Sequence, residues 1–319
     1  MNIINAAKME AIASYSDMVD WLRKSHLESV DAMDDLMLTQ PASQAGDDTL
    51  LVRAAWQRGK TIGIKLITIF PGNTAAGDLP AIQAVYALFD GGDGRPLASL
   101  DGTELTYWKT AVDSALGTQL LAREDCESLL MVGAGAQAPY LIRAHCAVRP
   151  SIRRVSIWNR TTAKGAALAD SRPVEGVDFE SVTDLETAAR AADLICCATA
   201  AEAPLVLGAW LRPGQHLDLV GGFKPAMRET DDEALGRSRV FVDARETTVA
   251  VCGDLCQPIA AGTFSPGDVE GDLFDLCRQG LARPRAAADI TLFKNGGGGH
   301  LDLMTASYFV ARAKSAGNG

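Results

Sequence analysis

The stretch between residues 128 and 162 constrains the fold more than any other part of the chain. Leu129–Val132 is a short apolar run, typical of a buried parallel strand, and it ends in Gly-Ala-Gly-Ala-Gln-Ala at residues 133–138. A helical run, Pro139–Val148, and a second apolar run, Val155–Trp158, follow. The first glycine permits a tight turn, the second lets the backbone approach a pyrophosphate, and the last alanine lets the helix pack on the strand. The stretch predicts a dinucleotide-binding strand–helix–strand unit rather than a plain strand–turn–helix.

The end of the second strand indicates which dinucleotide is bound. Folds of this kind that prefer NAD usually carry Asp or Glu here, on the ribose 2′-hydroxyl. This chain has Asn159, Arg160 and Thr161 instead. A guanidinium beside hydroxyl groups suits a 2′-phosphate, although a solvated surface turn is the alternative. We therefore expect NADPH as the cofactor, with NADH possible.

The chain beyond residue 162 alternates short strands and helices as far as Lys294. This alternation predicts an α/β domain with a Rossmann-type, doubly wound parallel sheet. Ligands of such sheets bind beyond the carboxyl ends of the strands, where Thr199 and the run Gly221-Gly222-Phe223 fall. An acidic stretch, Gly253–Leu276, is expected to be a surface excursion that ends in a short helix. The predicted cofactor contacts of this domain are Gly133, Gly135, Ala136, Gln137, Asn159, Arg160, Thr161, Thr199 and Gly221.

The first hundred residues indicate a helix plus an antiparallel sheet. Apolar spacing predicts a helix over residues 8–38, and a polar turn follows at residues 40–48. Four strands are then expected, and the turn Gly91–Gly94 makes the last two a hairpin. These strands are Leu50–Trp56, Thr61–Phe70, Ala81–Asp90 and Pro96–Leu100.

Two lysines stand out as candidate binding residues. Lys65 interrupts an otherwise apolar strand, which is costly unless the ammonium meets an anion or a cavity. The alternative is a stem that snorkels to the edge of the sheet. Lys109 and Thr110 lie early in a predicted helix, Leu105–Arg123, where a carboxylate or phosphate could bind. An exposed first turn is the alternative there.

Composition excludes several classes of partner. The net charge of −10 and pI of about 4.9 argue against nucleic acid or an acidic membrane as a partner. We find no run long enough to span a bilayer and no signal-peptide pattern. Seven cysteines without framework spacing indicate reduced thiols and a cytoplasmic protein. No metal site is predicted.

These pieces together resemble the ornithine cyclodeaminase/μ-crystallin family. The matching segments are Gly63–Asn73, Leu105–Ala111, Gly133–Ala138 and Asp289–Lys294, which span about residues 50 to 310. The resemblance implies a homodimer and a nicotinamide cofactor acting on amino or imino acids. It implies an α+β substrate-binding and dimerisation domain from residues 1–115 and 300–319. Residues 116–299 would be the Rossmann nicotinamide-dinucleotide domain.

The resemblance also implies roles for individual residues. Lys65 matches a substrate-facing lysine and would be the catalytic residue, whereas Lys109 stands where many relatives carry an arginine for the substrate carboxylate. Thr110 matches a residue near the cofactor phosphates. Phe223 occupies the place of an aspartate found in true cyclodeaminases, where it would wall the substrate pocket. The missing aspartate favours the ketimine reductase branch of the family.

The expected activity is therefore NAD(P)H-dependent reduction of a small cyclic imino acid, such as Δ1-pyrroline-2-carboxylate or Δ1-piperideine-2-carboxylate. The alternatives are an ornithine cyclodeaminase or an alanine dehydrogenase-like amino acid oxidoreductase. A non-catalytic, crystallin-like protein that binds NADPH or a small ligand is a third hypothesis.

Overall fold

The computed structural model describes residues 1–43, 46–73 and 79–317. They pack into two compact units. Unit 1 comprises Met1–Lys109 and the chain from Gly298 onward, and unit 2 comprises Thr110–Gly297. The first division lies inside one helix, at a point that nothing in the sequence marks. The roles that the sequence assigns to the two domains stay predictions.

Unit 1 is built on a six-stranded sheet in the order β1-β6-β5-β4-β3-β2. Strand β1 runs parallel to β6, and the other neighbours are antiparallel. Its strands are β1 (Asn2–Ile4), β2 (Ala32–Ser43), β3 (Gly46–Gln57), β4 (Thr61–Ile69), β5 (Ile82–Asp90) and β6 (Pro96–Asp101). Its helices are α1 (Ala6–Ile12), α2 (Tyr15–Ser25), the start of α3 (Gly102–Leu121), and α11 (Gly299–Gly317).

The two faces of this sheet differ because side chains alternate along each strand. One face carries Gly63, Lys65 and Tyr86, all buried, and α11 packs against β3 and β4. On the opposite face Leu36, Val52, Leu66 and Val85 lie in register across four strands, and three of them are exposed. The strand positions predicted from the sequence are confirmed from residue 50 to residue 100.

The predicted helix over residues 8–38 is wrong in its second half. Asn5 and Ser14 cap two short helices, and β2 begins at residue 32. Pairing of β2 with β3 decides its conformation, because tertiary contacts override weak helix propensity. The predicted polar turn at residues 40–48 is also wrong in part, because β2 continues to residue 43 and β3 starts at residue 46. Residues 44 and 45 lie outside the described residues.

Unit 2 contains an eight-stranded, parallel sheet in the order β13-β12-β14-β11-β10-β7-β8-β9. Its strands are β7 (Ser128–Val132), β8 (Arg154–Trp158), β9 (Asp178–Val182), β10 (Leu194–Cys197), β11 (His216–Leu219), β12 (Ser238–Val242), β13 (Val269–Asp272) and β14 (Ile290–Lys294). After α3 its helices are α4 (Ala138–Val148), α5 (Thr162–Asp170), α6 (Leu185–Ala191), α7 (Asp232–Arg237), α8 (Arg245–Thr248), α9 (Gly253–Ala261) and α10 (Leu273–Gln279). The predicted α/β fold class is confirmed.

The stretch at residues 253–276 is ordered structure rather than the predicted surface excursion. It forms α9, strand β13 and the start of α10, and α10 is the short helix expected at the end of the stretch. The acidic residues of this stretch suggested an exposed loop, but two of them have structural partners. Asp272 caps α10 by accepting a hydrogen bond from Asp275 N, and Asp254 is a fully buried ion-pair partner. Across the described residues, the helices are all too short or too polar to cross a bilayer.

Candidate active site

The glycine turn after β7 has the geometry that a pyrophosphate requires. Gly133 has φ +110°, and a Cβ there would lie 2.6 Å from the carbonyl oxygen of Ala198. Only glycine tolerates this conformation and this contact. Gly135 and Ala136 are exposed, and a Cβ on Gly135 would meet no atom within 4 Å. Gln137 then begins α4 without capping it through its side chain. The turn is therefore open in front of a helix N-terminus, a favourable place for an anion.

Asn159 joins the end of β8 to this turn. Its Oδ1 accepts a hydrogen bond from Ala134 N at 3.1 Å, and its Nδ2 donates to the carbonyl of Thr161 at 2.8 Å. Arg160 and Thr161 are exposed, and no described residue hydrogen-bonds to the guanidinium of Arg160. The side chain of Asn159 therefore links the glycine turn to the loop after β8. The side chains of Arg160 and Thr161 are exposed and accessible to a ligand.

Thr199 and Gly221 lie at the ends of the neighbouring strands β10 and β11, over the buried carboxylate of Glu229. Glu229 Oε1 accepts hydrogen bonds from Thr199 N at 2.7 Å and from Thr199 Oγ1 at 2.8 Å. A Cβ on Gly221 would lie 2.3 Å from the same oxygen. Glu229 therefore fixes both loops at the carboxyl edge of the sheet, where ligands of parallel sheets bind.

A buried ion cluster underlies these loops. Lys294 Nζ lies 3.0 Å from Asp254 Oδ2 and donates to the carbonyls of Leu219 and Gly221. Asp254 Oδ1 accepts from Glu229 N at 2.7 Å. Burial raises the pKa of Glu229 from 4.5 to about 7, because the attraction of Lys294 only partly offsets burial and the repulsion of Asp254. Burial lowers the pKa of Lys294, but Asp254, Cys252 and Glu229 together outweigh burial, so the net shift is upward.

For two other predicted contact residues of unit 2, Phe223 and Thr110, the structure gives the surroundings but no contact that bears on the predicted role. Phe223 is 52% exposed, with the ammonium of Lys224 5.8 Å from its ring centroid. The carbonyl of Thr110 accepts a hydrogen bond from Asn295 Nδ2 at 3.0 Å. Their roles at the substrate and at the phosphates stay predictions.

Three groups in the core of unit 2 resemble a metal ligand set. His145 Nε2 lies 3.1 Å from Asp218 Oδ2, and the Cys196 thiol donates to the same oxygen at 3.2 Å. Burial raises the pKa of Cys196 well above its usual value, so the thiol stays protonated. Both contacts end on Asp218 Oδ2, so the three side chains form a buried hydrogen-bond network.

The candidate substrate site of unit 1 centres on Lys65. The side chain is buried, and Nζ lies 3.1 Å from Asp302 Oδ1 and donates to Thr106 Oγ1. Asp302 lies in the first turn of α11. Gly299, in the same turn, lets the helix pack closely on β3, because a Cβ at residue 299 would lie 3.3 Å from the carbonyl oxygen of Ala54. Lys65 is therefore paired with a buried anion, and the alternative of a snorkelling stem is wrong.

This site holds more positive than negative charge. Arg53 is the cross-strand neighbour of Lys65, and it makes a bidentate contact with Asp35. Lys109 is 5% exposed, and no side chain in the described ranges hydrogen-bonds to it. Burial lowers the pKa of Lys65, and Lys109 and Arg53 lower it further against the pull of Asp302. Because Asp35 pairs with Arg53, the positive charges of Lys65 and Lys109 are opposed by the negative charge of Asp302. The sum of these three charges is positive, so a second anion would be stabilised here.

Two further buried groups keep their neutral forms in this site. Burial, and then Asp302, raise the pKa of Tyr86 well above its usual value, so its phenol stays protonated. Gly63 makes room for that hydroxyl, since a Cβ there would lie 1.8 Å from the Tyr86 oxygen. Burial and the charge of Lys109 lower the pKa of His300 to about 3, so its ring stays neutral. The fixed charges of the site are therefore those of the lysines, Arg53 and the carboxylates.

A model of the ornithine cyclodeaminase/mu-crystallin family matches residues 18–317. The chain belongs to this family. It is 45% identical, over 297 residues, to a Delta(1)-pyrroline-2-carboxylate reductase of Paracoccus denitrificans, covering 93% of this chain and 92% of that protein. A protein of the same name from Colwellia psychrerythraea is 33% identical and covers 98% of this chain and 99% of its own length. The family predicted from the residues is confirmed.

Among solved structures, the chain is similar to a Thermococcus litoralis Delta(1)-pyrroline-2-carboxylate reductase in complex with NADH and L-proline. The TM-score is 0.88 at 26% identity, and the match covers 99% of this chain and 98% of that one. An archaeal alanine dehydrogenase dimer with bound NAD shares the fold at a TM-score of 0.87 and 22% identity. The ornithine cyclodeaminase/mu-crystallin fold therefore extends over both units.

The sequence interpretation did not recognise four buried charged residues that belong to the candidate sites of the two units. Asp302, Glu229, Asp254 and Lys294 were not assigned roles. One signal was present, because a lysine inside an apolar strand implies a counter-ion. Nothing in the sequence, however, pairs residue 65 with residue 302.

Proposed function

We propose that this chain is an NAD(P)H-dependent reductase of a small cyclic imino acid. The observation that carries the proposal is the buried cationic site of unit 1, where Lys65 and Lys109 share the single carboxylate of Asp302. A substrate carboxylate would balance that charge, because buried charges are stable only when paired. The relatives named Delta(1)-pyrroline-2-carboxylate reductase, one of them solved with NADH and L-proline, support this substrate class.

Within this proposal, Lys65 is the principal anchor of the substrate carboxylate. Its ammonium is held by Thr106 and Asp302, so the anchor is preorganised before the substrate arrives. Lys109 adds a second charge without the bidentate fork of an arginine. Together the two lysines would fix the imino carbon of the substrate in one place.

The nicotinamide dinucleotide would be held by unit 2. Gly133, Gly135 and Ala136 leave the space for its pyrophosphate, and Thr199 and Gly221 lie at adjacent strand ends. When bound and reduced, the cofactor supplies the hydride. The buried Glu229 keeps the two strand-end loops in place while the ligand binds.

The proposed reaction is tested by following NADPH oxidation with Δ1-pyrroline-2-carboxylate and Δ1-piperideine-2-carboxylate. We expect turnover with at least one ring size and no proline from ornithine with NAD. Phe223 stands where a cyclodeaminase needs a carboxylate, and a phenyl ring has no proton to exchange. Proline and ammonia from ornithine would identify a cyclodeaminase. NADPH binding without any turnover would favour the non-catalytic alternative.

We further propose that Arg160 selects NADPH over NADH. Its exposed guanidinium at the end of β8 is free to bind a 2′-phosphate. Arg160→Ala should raise KM for NADPH about 10- to 100-fold, the effect of losing one charge-assisted hydrogen bond, and leave KM for NADH nearly unchanged. Steady-state kinetics with both cofactors measures this. Arg154→Ala, at the opposite end of the same strand, is the matched control. Equal effects on both cofactors would contradict this assignment.

A homodimer is proposed on the open face of the unit 1 sheet. Leu36, Leu66 and Val85 are 55%, 40% and 41% exposed and lie in register across β2, β4 and β5. Contiguous apolar patches of this kind mark interaction surfaces. Leu66→Lys should convert a dimer to a monomer in light scattering at micromolar concentration, because it places a charge within the patch. Val251→Lys makes the same change at an exposed residue of unit 2 and should remain a dimer. A wild-type monomer would refute the proposal.

The proposed location is the cytoplasm. Six cysteines of the described residues are free thiols: Cys126, Cys146, Cys196, Cys197, Cys252 and Cys256. Unpaired thiols are the usual state in a reducing compartment.

A further inference from the structure

Asp302 has one carboxylate oxygen that its pairing with Lys65 does not use. Oδ1 lies 3.1 Å from Lys65 Nζ, whereas Oδ2 has no hydrogen-bond partner among residues 1–43, 46–73 and 79–317. The residue is 1% exposed, so water does not readily satisfy this oxygen. A buried acceptor without a donor is costly, and such groups are retained mainly at functional sites.

Asp302 is also held in its ionised form. Burial favours the neutral acid, but Lys65, Lys109 and Arg53 outweigh burial and lower the pKa of Asp302. Its place in the first turn of α11 acts in the same direction, because the helix dipole favours a negative charge there. Oδ2 can therefore accept a hydrogen bond from a charged donor, and it does not serve as a proton donor.

We propose that Asp302 binds the protonated imine nitrogen of the substrate through Oδ2 while Lys65 binds the adjacent carboxylate. The inference rests on the proposed imino acid reduction. A protonated α-imino acid carries a donor, N–H⁺, and an acceptor, COO⁻, on neighbouring atoms. The Lys65–Asp302 pair presents the complementary donor and acceptor side by side, because Lys65 Nζ lies 3.1 Å from Oδ1 and Oδ2 of the same carboxylate is left as the acceptor. The lysine ammonium alone recognises any carboxylate, whereas the pair recognises an imino acid.

The reaction that this contact favours is balanced without a proton from Asp302. A hydride adds to the imino carbon, the C=N π electrons become the lone pair of the nitrogen, and the nitrogen keeps its proton. The neutral amine then takes a proton from solvent. Asp302 stabilises the iminium charge that makes the carbon electrophilic. The corresponding 2-oxo acid would place a carbonyl oxygen against Oδ2, so the same carboxylate disfavours a ketone.

Two planar inhibitors that differ in one ring atom test this contact. Pyrrole-2-carboxylate offers an N–H where furan-2-carboxylate offers an oxygen acceptor, and both carry the carboxylate that Lys65 would bind. Competitive inhibition constants are measured on the NADPH-loaded wild-type enzyme. We expect pyrrole-2-carboxylate to bind about 10-fold or more tightly than furan-2-carboxylate, as for a hydrogen bond to a charged group.

Asp302→Asn should reduce this preference to within about threefold while leaving the furan-2-carboxylate constant nearly unchanged. Asp35→Asn removes the carboxylate paired with Arg53 and should keep the wild-type preference. Equal binding of both inhibitors to the wild type overturns the inference even if the variant does not fold. Equal weakening of both inhibitors by Asp302→Asn also overturns it, because Asp302 would then act only through Lys65. Failure of both inhibitors to bind the wild type would refute the proposed carboxylate site itself.

Discussion

Replacing Lys65 with methionine should lower kcat/KM for the imino acid by about 10²- to 10⁴-fold. Removing one partner of a buried, hydrogen-bonded charge pair costs about 3–5 kcal/mol, which corresponds to a loss of this size. Methionine keeps the length of the side chain but removes the ammonium that Thr106 and Asp302 hold in place. Steady-state kinetics of NADPH oxidation gives the value.

NADPH binding separates this effect from misfolding. The predicted cofactor contacts Gly133–Gln137, Arg160 and Gly221 belong to unit 2, so NADPH fluorescence should titrate Lys65→Met as it does the wild type. Lys60→Met is the matched control, because Lys60 is an exposed lysine that pairs with Glu28. Full activity in Lys65→Met would refute the assignment of Lys65 as the substrate anchor.

Lys294→Met should lower the free energy of unfolding by about 3–5 kcal/mol, since it leaves two buried carboxylates without a cation. Lys294, Asp254 and Glu229 are all fully buried, and Lys294 also donates to the carbonyl of Leu219. The loss is measured by denaturant unfolding in buffers at about pH 5 and about pH 8, where it should be larger at the higher pH.

The sign of this pH dependence follows from Glu229. Its folded-state pKa of about 7 lies above its ordinary value of 4.5. The folded state thus binds the proton more tightly, and that stabilisation is complete below pH 4.5 and lost as the pH rises through about 7. Without the attraction of Lys294, Glu229 would be harder still to ionise, so the instability grows with pH. Glu229→Gln cannot ionise and should flatten the pH profile of stability. A pH-independent loss in Lys294→Met would show that packing alone is responsible.

The parts of the fold that local sequence rules govern could be predicted. The glycine turn at residues 133–138 is one, since both the φ of Gly133 and its contact with Ala198 admit only glycine. The strands of both sheets other than β1, β2 and β13 were found for the same reason, because buried strands are short apolar runs bounded by turns. Residues 32–43 could not be found this way, as their pairing with β3 is a tertiary effect.

The candidate site was predictable only in part. Lys65 was visible because a charge in an apolar strand is a local anomaly, but its partner is 237 positions away. Glu229, Asp254 and Lys294 gave no signal for another reason. Glu229 appears among ordinary polar residues, Asp254 in the first turn of a helix and Lys294 at a strand end. Only the folded chain shows that they share one buried cluster. Long-range pairing of charges is therefore the information that the sequence alone did not reveal.

The discontinuity of unit 1 has a consequence for biosynthesis. Every strand of the eight-stranded sheet lies between residues 128 and 294, so that sheet is complete before α11 leaves the ribosome. Lys65 is translated early but receives its counter-ion only when Asp302 emerges. Until then the nascent chain carries Lys65 without this counter-ion in the six-stranded sheet, whose strands all lie before residue 102. The anion site thus assembles last, and a ribosome that stalls before residue 302 would release a chain unable to hold an imino acid.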